Sequence, residues 1–422
     1  MLDERPEAAR QVTATPELDL DDPTLLLRDD VLEDPRPLYA KLRREAPVWQ
    51  LPGQDTFVVS DPKLVREAVR RTEDFSSNLV SLLHNDGTGR PTPYEMAPFR
   101  DPINVLSTAD PPDHTAHRNL LQPALSPGAL AELEPKVREI VAEQFAPILA
   151  AHGGDLVPAF SEVVPARTIC AIIGIPDREA PRVIDLVAGT GALLDGITDA
   201  DGMQSAMGYA AQMYGFVSEH LATALAQPVE QRTGLFAVLG DGIADGTFTE
   251  DDVRSVLLTL VSAGSDTTAS LLATATECLA RDPALQDRLR GDLSLIPEVV
   301  EDILRSDGPF QFHYRYTPHD TTLGAVAVAA HSRVLLMWAA ANLPDPTDPI
   351  EPGGRRPPHF AFGRGIHFCI GAPVARMEAR LGLGHLLSTT ASITLDPDRP
   401  PTRRPSIFLR RHRSLPIRVE PA

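Results

Sequence analysis

With 422 residues, 43% of them hydrophobic, the chain has material for a large folded core. Its formal charge of −19 argues against a nucleic-acid surface and against an anionic membrane surface. No apolar run has the length of a membrane span, Met1–Asp22 is acidic without a signal-like core, and Cys170, Cys278 and Cys369 are spaced for neither a disulfide framework nor a zinc site, so a reducing, cytoplasmic setting without membrane attachment is expected.

In chain order, residues 1–33 read as a loosely ordered leader. Arg36–Glu45 reads as a short helix, Val48–Leu51 and Thr56–Val59 as a hairpin around Pro52-Gly53, and Asp61–Arg71 as a capped helix. From Thr72 to Asp113 there is little periodicity, and so long an irregular stretch in a compact protein is usually functional. Pro111-Pro112 ends it, Asp113 can cap, and the helix that begins there carries His114 and Arg118 on one face. Two cationic donors one turn apart suit a carboxylate, although a solvated polar face is the readier reading of these residues alone. Helical patterns follow over Pro127–Ala150, Leu156–Ile173, Glu179–Leu194, Met203–Ala226 and Leu235–Ala244, with breaks at Gly189–Gly196 and Asp199–Gly202.

Thr249–Leu279 is long and largely apolar, and Thr249 with Asp252 reads as its cap. Within it, Ala263-Gly264-Ser265-Asp266-Thr267-Thr268 places poor helix formers mid-helix, which suggests a local distortion with a purpose. Ala263 and Gly264 leave room for a ligand near the backbone, and Asp266 and Thr267 can supply and relay a proton; a polar kink in a buried helix is the plain alternative. Ile296–Arg305 reads as a helix in which both Glu301 and Asp302 can reach Arg305. Thr321–Val326 and Val334–Trp338 are strand-like, and Ala391–Glu420 reads as strands with Ile407-Phe408-Leu409 as a turn.

The most informative stretch is Phe362-Gly363-Arg364-Gly365-Ile366-His367-Phe368-Cys369-Ile370-Gly371, followed by a helical pattern over Ala372–Leu387. Its glycines permit a tight turn and close approach to a large flat partner. The helix N-terminus is expected to favour thiolate over thiol at Cys369. A buried free cysteine beside a turn is the plain reading of Cys369 alone, but the pattern Phe-Gly-x-Gly-x-His-x-Cys-x-Gly is far more specific. It resembles the haem-binding signature of the cytochrome P450 monooxygenases at every fixed position, and the resemblance extends from about Asp34 to the end of the chain.

The resemblance implies a mainly α protein, a single large cytochrome P450 fold over residues 34–422, with haem b between a long central helix and the Cys-loop helix and with small β-sheets. It implies that Cys369 is the axial thiolate in a loop that also includes Phe362, Gly363, His367 and Gly371, and that His114, Arg118, Arg315 and His367 hold the haem propionates. Ala263 and Gly264 then lie against the haem, with Asp266 and Thr267 delivering protons. The irregular stretch covers the substrate, which makes Leu79, Leu82, Leu83, Met96, Phe99 and Val105 pocket candidates, joined by Phe310, Phe312, Tyr314 and Phe408. One element departs from the pattern: where the family has Glu-x-x-Arg, this chain has Asp302 and Arg305, and the arginine that completes this ion-pair brace would be Arg355 or Arg356. The loop before Phe362 is also shorter than usual.

The expected activity is haem-thiolate oxidation, typically hydroxylation, of a medium-sized, largely apolar small molecule, with a secondary metabolite as the expected class. With no fused flavin or nicotinamide segment, electrons are expected from a ferredoxin and ferredoxin reductase. The alternatives are a haem-thiolate sensor without turnover, for which the intact Asp266-Thr267 pair has no use, and an enzyme of the same fold that couples or cyclises its substrate oxidatively.

Overall fold

The computed structural model describes residues 17–95, 104–342 and 358–422. Leu25–Leu27 form a 3-10 turn and are buried in one apolar cluster with Leu38, Leu42, Trp49 and Phe408. Helix α1 (Asp29–Glu33) adds Val31 to that cluster. The expectation of a loose leader is thus corrected for its second half: the leucines are buried against residues from the far end of the chain, a contact no local pattern reveals.

Helix α2 (Arg36–Glu45) leads into β1 (Val48–Gln50) and β2 (Thr56–Val59), which pair antiparallel. Helix α3 (Pro62–Ala68) is capped by Asp61, whose carboxylate accepts from the amides of Lys63 and Leu64. The stretch expected to be irregular contains a hairpin, β3 (Ser81–Asn85) with β4 (Pro91–Glu95). Pro91 and Pro93 disguise it in the sequence; a two-stranded ribbon tolerates them because its edges need no inward N–H.

The helical half comprises α4 (Asp113–Leu121), α5 (Pro127–Ala150), α6 (Val163–Ile173), α7 (Ala180–Gly191), α8 (Ala200–Leu225), α9 (Leu235–Ala244) and the thirty-two-residue α10 (Glu250–Arg281). Asp199, read as part of a break, is the N-cap of α8 and accepts from the Gly202 amide. A reciprocal capping box of Thr249 and Asp252 opens α10. No distortion interrupts α10 at Gly264–Thr268: the hydroxyls of Ser265 and Thr267 each donate to the carbonyl one turn back at 2.8 Å, so the polar groups are satisfied inside a continuous helix. Among the described helices α10 alone is long and apolar enough to cross a membrane, contrary to the expectation from the sequence, yet 56% of its apolar window is buried inside the protein, as befits a core helix.

Helices α11 (Pro283–Gly291), α12 (Ile296–Asp307), α13 (Trp338–Asn342) and α14 (Ala372–Thr389) complete the set. Helix α10 packs against α6, α7 and α8 on one side and against α12 and α14 on another. The strands are peripheral: β5 (Gly153–Asp155), β6 (Phe312–Tyr316), β7 (Thr321–Leu323), β8 (Val326–Val328), β9 (Arg333–Met337), β10 (Thr390–Leu395), β11 (Thr402–Arg404), β12 (Arg411–Ser414) and β13 (Pro416–Pro421). The largest sheet runs β1-β2-β9-β6, and a three-stranded sheet runs β10-β13-β5. A separate two-stranded sheet pairs β11 with β12, and the C-terminal tail returns to α10 through β12 and β10, which both pack against it.

Candidate active site

The Cys loop is held in a conformation that needs its glycines. Gly363 and Gly365 have φ of 68° and 72°, and a Cβ on Gly365 would stand 3.2 Å from the Val69 carbonyl oxygen. The Cys369 amide donates to the Phe362 carbonyl at 2.9 Å, which folds the loop back on itself. Desolvation by the protein packed around it pushes the Cys369 thiol up even though one side of the residue is open, and the amides of Gly371 and Ala372, together with Arg118 and Arg376, offset only part of that rise. The helix N-terminus acts in the expected direction, since the Gly371 and Ala372 amides favour thiolate, but desolvation is larger, and a bound cation is what would complete the deprotonation. Cys170 and Cys278 are pushed up to about 12, chiefly by burial, and no metal-binding group surrounds either among the described residues.

Around His367 lies a nest of cationic donors. His114 is buried, its ring 4.2 Å from that of His367. His367 Nε2 bonds Ser77 Oγ at 2.9 Å, and the Nδ1 atoms of both histidines have no partner among the described residues. Arg118 donates to the Phe368 carbonyl at 2.7 Å. Arg315 is buried and donates to the Tyr314 carbonyl at 2.7 Å, but no carboxylate among the described residues pairs with it, and burial lowers it to about 10. Burial, then Arg315, His114, His313 and Arg118, push His367 down to about 2. Asp110, whose carboxylate accepts from the Ser76 hydroxyl and the Ser77 amide, raises Arg315 and His114 without offsetting their burial, so a group of donors that otherwise suppress one another's charge is suited to receive a further anion. The residues therefore fit haem, whose carboxylates the nest would hold while Cys369 faces the iron. Two further positions agree: Cys369 and, on α10, Ala263 stand exposed, although Val261 and Ser265 beside Ala263 are buried.

Asp266 is half-buried on α10 and ion-pairs with Arg411 at the start of β12, which also reaches Asp195 at 3.3 Å. Burial raises Asp266 to about 6, Arg411 and Arg404 pull it down, and Asp195 and Glu162 push it up. Arg411 carries no motif, and its partners lie far away in sequence, so sequence reasoning missed it. Thr267 donates its hydroxyl back to the Ala263 carbonyl. Gly264 differs from expectation: a Cβ there would stand 3.1 Å from the Ile169 side chain, so its smallness lets α10 approach α6.

In α12, Asp302 is 2% exposed and Arg305 8% exposed, with Nη2 to Oδ1 at 3.9 Å, an ion pair too long for a hydrogen bond. Arg305 Nε has no partner among the described residues. Glu301 instead accepts from Arg376 at 2.5 and 2.9 Å and meets His359 Nε2 at 2.9 Å. Burial alone would raise Glu301; these two partners hold it down to about 2. Arg355 and Arg356 lie outside the described residues.

Of the pocket candidates, Leu79, Leu82, Leu83, Phe310, Phe312, Tyr314 and Phe408 belong to one apolar cluster, to which the connector between α7 and α8 contributes Leu193, Leu194 and Ile197 and the first turn of α8 contributes Met203. Phe408 packs edge-on against Phe310 and Phe312 at 4.6 and 5.4 Å. Val105 is a correction: it is buried in a different cluster with residues of α6, α9 and α10, because the chain turns at Leu106 toward His117, whose Nδ1 accepts from the Leu106 amide. Met96 and Phe99 lie outside the described residues.

Comparison with known proteins gives a consistent picture. The profile of the family described as "Cytochrome P450" matches residues 197–342. Cytochrome P450 144 of Mycobacterium tuberculosis is 32% identical over 368 residues, covering 86% of this chain and 84% of that protein. Vitamin D(3) 25-hydroxylase of Pseudonocardia autotrophica is 30% identical over 374 residues, covering 86% and 88%. The crystal structure of CYP109E1 from Bacillus megaterium in complex with testosterone superposes with a TM-score of 0.81 at 25% identity, covering 92% of this chain and 98% of that one.

Proposed function

Since the chain belongs to the cytochrome P450 family, oxidoreductases that hold haem on a cysteine thiolate, we propose that Cys369 is its axial ligand and that it oxidises a medium-sized, largely apolar small molecule, in secondary metabolism. The observation that carries this is the anion-seeking nest of His114, Arg118, Arg315 and His367 beside the glycine-shaped Cys369 loop. When bound, haem supplies dioxygen activation, and the thiolate's electron donation favours O–O cleavage. The chain supplies the rest. Its donor nest would neutralise the haem carboxylates, and the cluster of Leu82, Phe310, Phe312 and Phe408 would exclude water around an apolar substrate. Asp266, poised near 6, is suited to pass protons inward, and Thr267 is placed one residue on to orient them. A steroid- or secosteroid-sized substrate agrees with the names of the relatives that match. Residues 34–422 are read as the haem domain.

Electrons are proposed to come from a ferredoxin and its reductase, docking near the Cys loop. Phe368 and Ile366 are 38% and 39% exposed there, beside Arg118 and Arg364. Arg376 and Arg380 nearby add little positive charge to this surface, because they pair with Glu301 and Glu134. The test of the whole reading is spectroscopic. The reduced carbonyl complex should show the red-shifted band that names the family; Cys369→Ala should abolish it, and Cys170→Ala and Cys278→Ala should leave it. A normal band in the Cys369 variant would overturn the assignment.

A further inference from the structure

His313 lies on β6 two residues before Arg315, so the two side chains leave the strand on the same face. The ring is fixed from two directions. Phe310 stacks on it at 4.4 Å with an interplanar angle of 5°. The indole Nε1–H of Trp338, itself 2% exposed, donates to His313 Nδ1 at 2.6 Å. An indole N–H can only donate, so Nδ1 must accept and the imidazole proton must sit on Nε2. Burial, then the Arg315 charge, keeps the ring neutral, with its pKa lowered to about 3. The Nε2–H donor that remains has no partner among the described residues. A ring so constrained, with one donor unspent, is a site waiting for an acceptor.

The face on which His313 lies identifies that acceptor. Phe312 and Tyr314 leave β6 on the opposite face and pack on each other at 5.1 Å, while Phe310 and Phe408 of the same apolar cluster border the His313 ring at 4.4 and 6.3 Å, so His313 stands at the edge of that cluster on the face it shares with Arg315. His313 shares its face with Arg315 and is one of the groups whose proximity depresses His367, which places it in the donor nest. We propose that His313 donates its Nε2–H to a carboxylate oxygen of the haem beside Arg315, and that Trp338 is the positioning residue that fixes its tautomer. The inference rests on the haem reading above and adds a neutral donor to a set otherwise made of His114, Arg118, Arg315 and His367.

The test measures transfer of haem to an excess of apomyoglobin, which needs no turnover. A hydrogen bond to a charged group contributes enough that its loss should speed release about tenfold or more in His313→Phe, which keeps the stack on Phe310 but has no donor. His313→Gln, which restores a donor, should release haem within about threefold of wild type. Trp338→Phe should fall between, and His313→Phe/Trp338→Phe should be no faster than His313→Phe alone, the non-additivity expected when one residue acts through the other. Should His313→Phe not accumulate, His313→Asn against His313→Leu repeats the contrast. Equal release from wild type and His313→Phe would overturn the proposal, as would equal acceleration in the Phe and Gln variants or additive effects in the double variant. So would a His313→Phe protein that releases haem normally but binds dodecanoate more weakly in a spectral titration, since the donor would then serve substrate. A wild-type protein that takes up no haem would instead refute the reading on which this inference stands.

Discussion

Arg411 is the side chain whose removal tests the proton path most directly. It bridges Asp266 on α10 and Asp195 in the connector between α7 and α8, and it is 6% exposed. With Arg411 present Asp266 stands at about 6, so roughly nine in ten molecules carry it ionised at pH 7. Burial is the largest influence on Asp266 and Arg411 the largest opposing one. Arg411→Ala leaves burial and the Asp195 charge to act together, and the midpoint should rise past neutrality. A rise of about two units corresponds to about 3 kcal/mol of lost preference for the carboxylate, comparable with the roughly 3–5 kcal/mol for breaking a buried pair from one side. The assay is product formed per reductant consumed, from pH 5 to 9. Wild type should show a midpoint near 6, Arg411→Ala one about one to two units higher, and Arg411→Lys one close to wild type. The stability sign follows from the raised value. The fold favours the neutral acid, so the Asp266 contribution is largest below the ordinary carboxylate range and is lost as pH rises through 6. In Arg411→Ala that loss should be larger and extend to higher pH. An unchanged coupling midpoint in Arg411→Ala would show that Asp266 does not gate the protons.

Thr267→Ala should lower coupling and release peroxide, and Asp266→Asn should slow turnover on the order of 10²-fold or more; wild-type rate and coupling in both would remove α10 from the chemistry. Asp302→Ala should weaken folding or haem retention by roughly 3–5 kcal/mol, as for a buried pair broken from one side, measured by denaturant titration. Glu301→Ala should not be silent either, since Arg376 and His359 both lose their partner; a cost of roughly 1–2 kcal/mol is expected after solvent screening. Because Glu301 is held down to about 2, its contribution is present above the ordinary carboxylate range and lost as pH falls toward 2, so Glu301→Gln should flatten the acid limb of the stability profile. Reduction by ferredoxin should slow as salt rises and slow again in Arg364→Glu, whereas Arg376→Glu should instead destabilise the protein, because that arginine is committed to Glu301.

The Cys369 loop was legible in the sequence because its requirements are local: glycines where φ is positive and a helix that starts three residues after the cysteine. The His114–Arg118 spacing and the Thr249–Asp252 cap are local in the same way, one helical turn each. These short-range rules were enough to order the helices and to indicate a thiolate site. The hairpin β3–β4 escaped because proline breaks the local signal while leaving an edge ribbon tolerable. The purpose of Gly264 was misread because a missing side chain states only that space is needed, and the occupant of that space, Ile169, lies on another helix.

Contacts between distant segments belong to the tertiary structure alone. Arg411 meets Asp266 across 145 residues of chain, Glu301 prefers Arg376 to its helix neighbour Arg305, and Trp338 fixes the tautomer of His313 across two strands. Each choice depends on which groups are desolvated together, and desolvation is a property of the packed interior. Residue type and spacing determine which side chains can donate, accept or ligate; only packing decides which of them are left with an unspent charge or hydrogen and must therefore find a ligand.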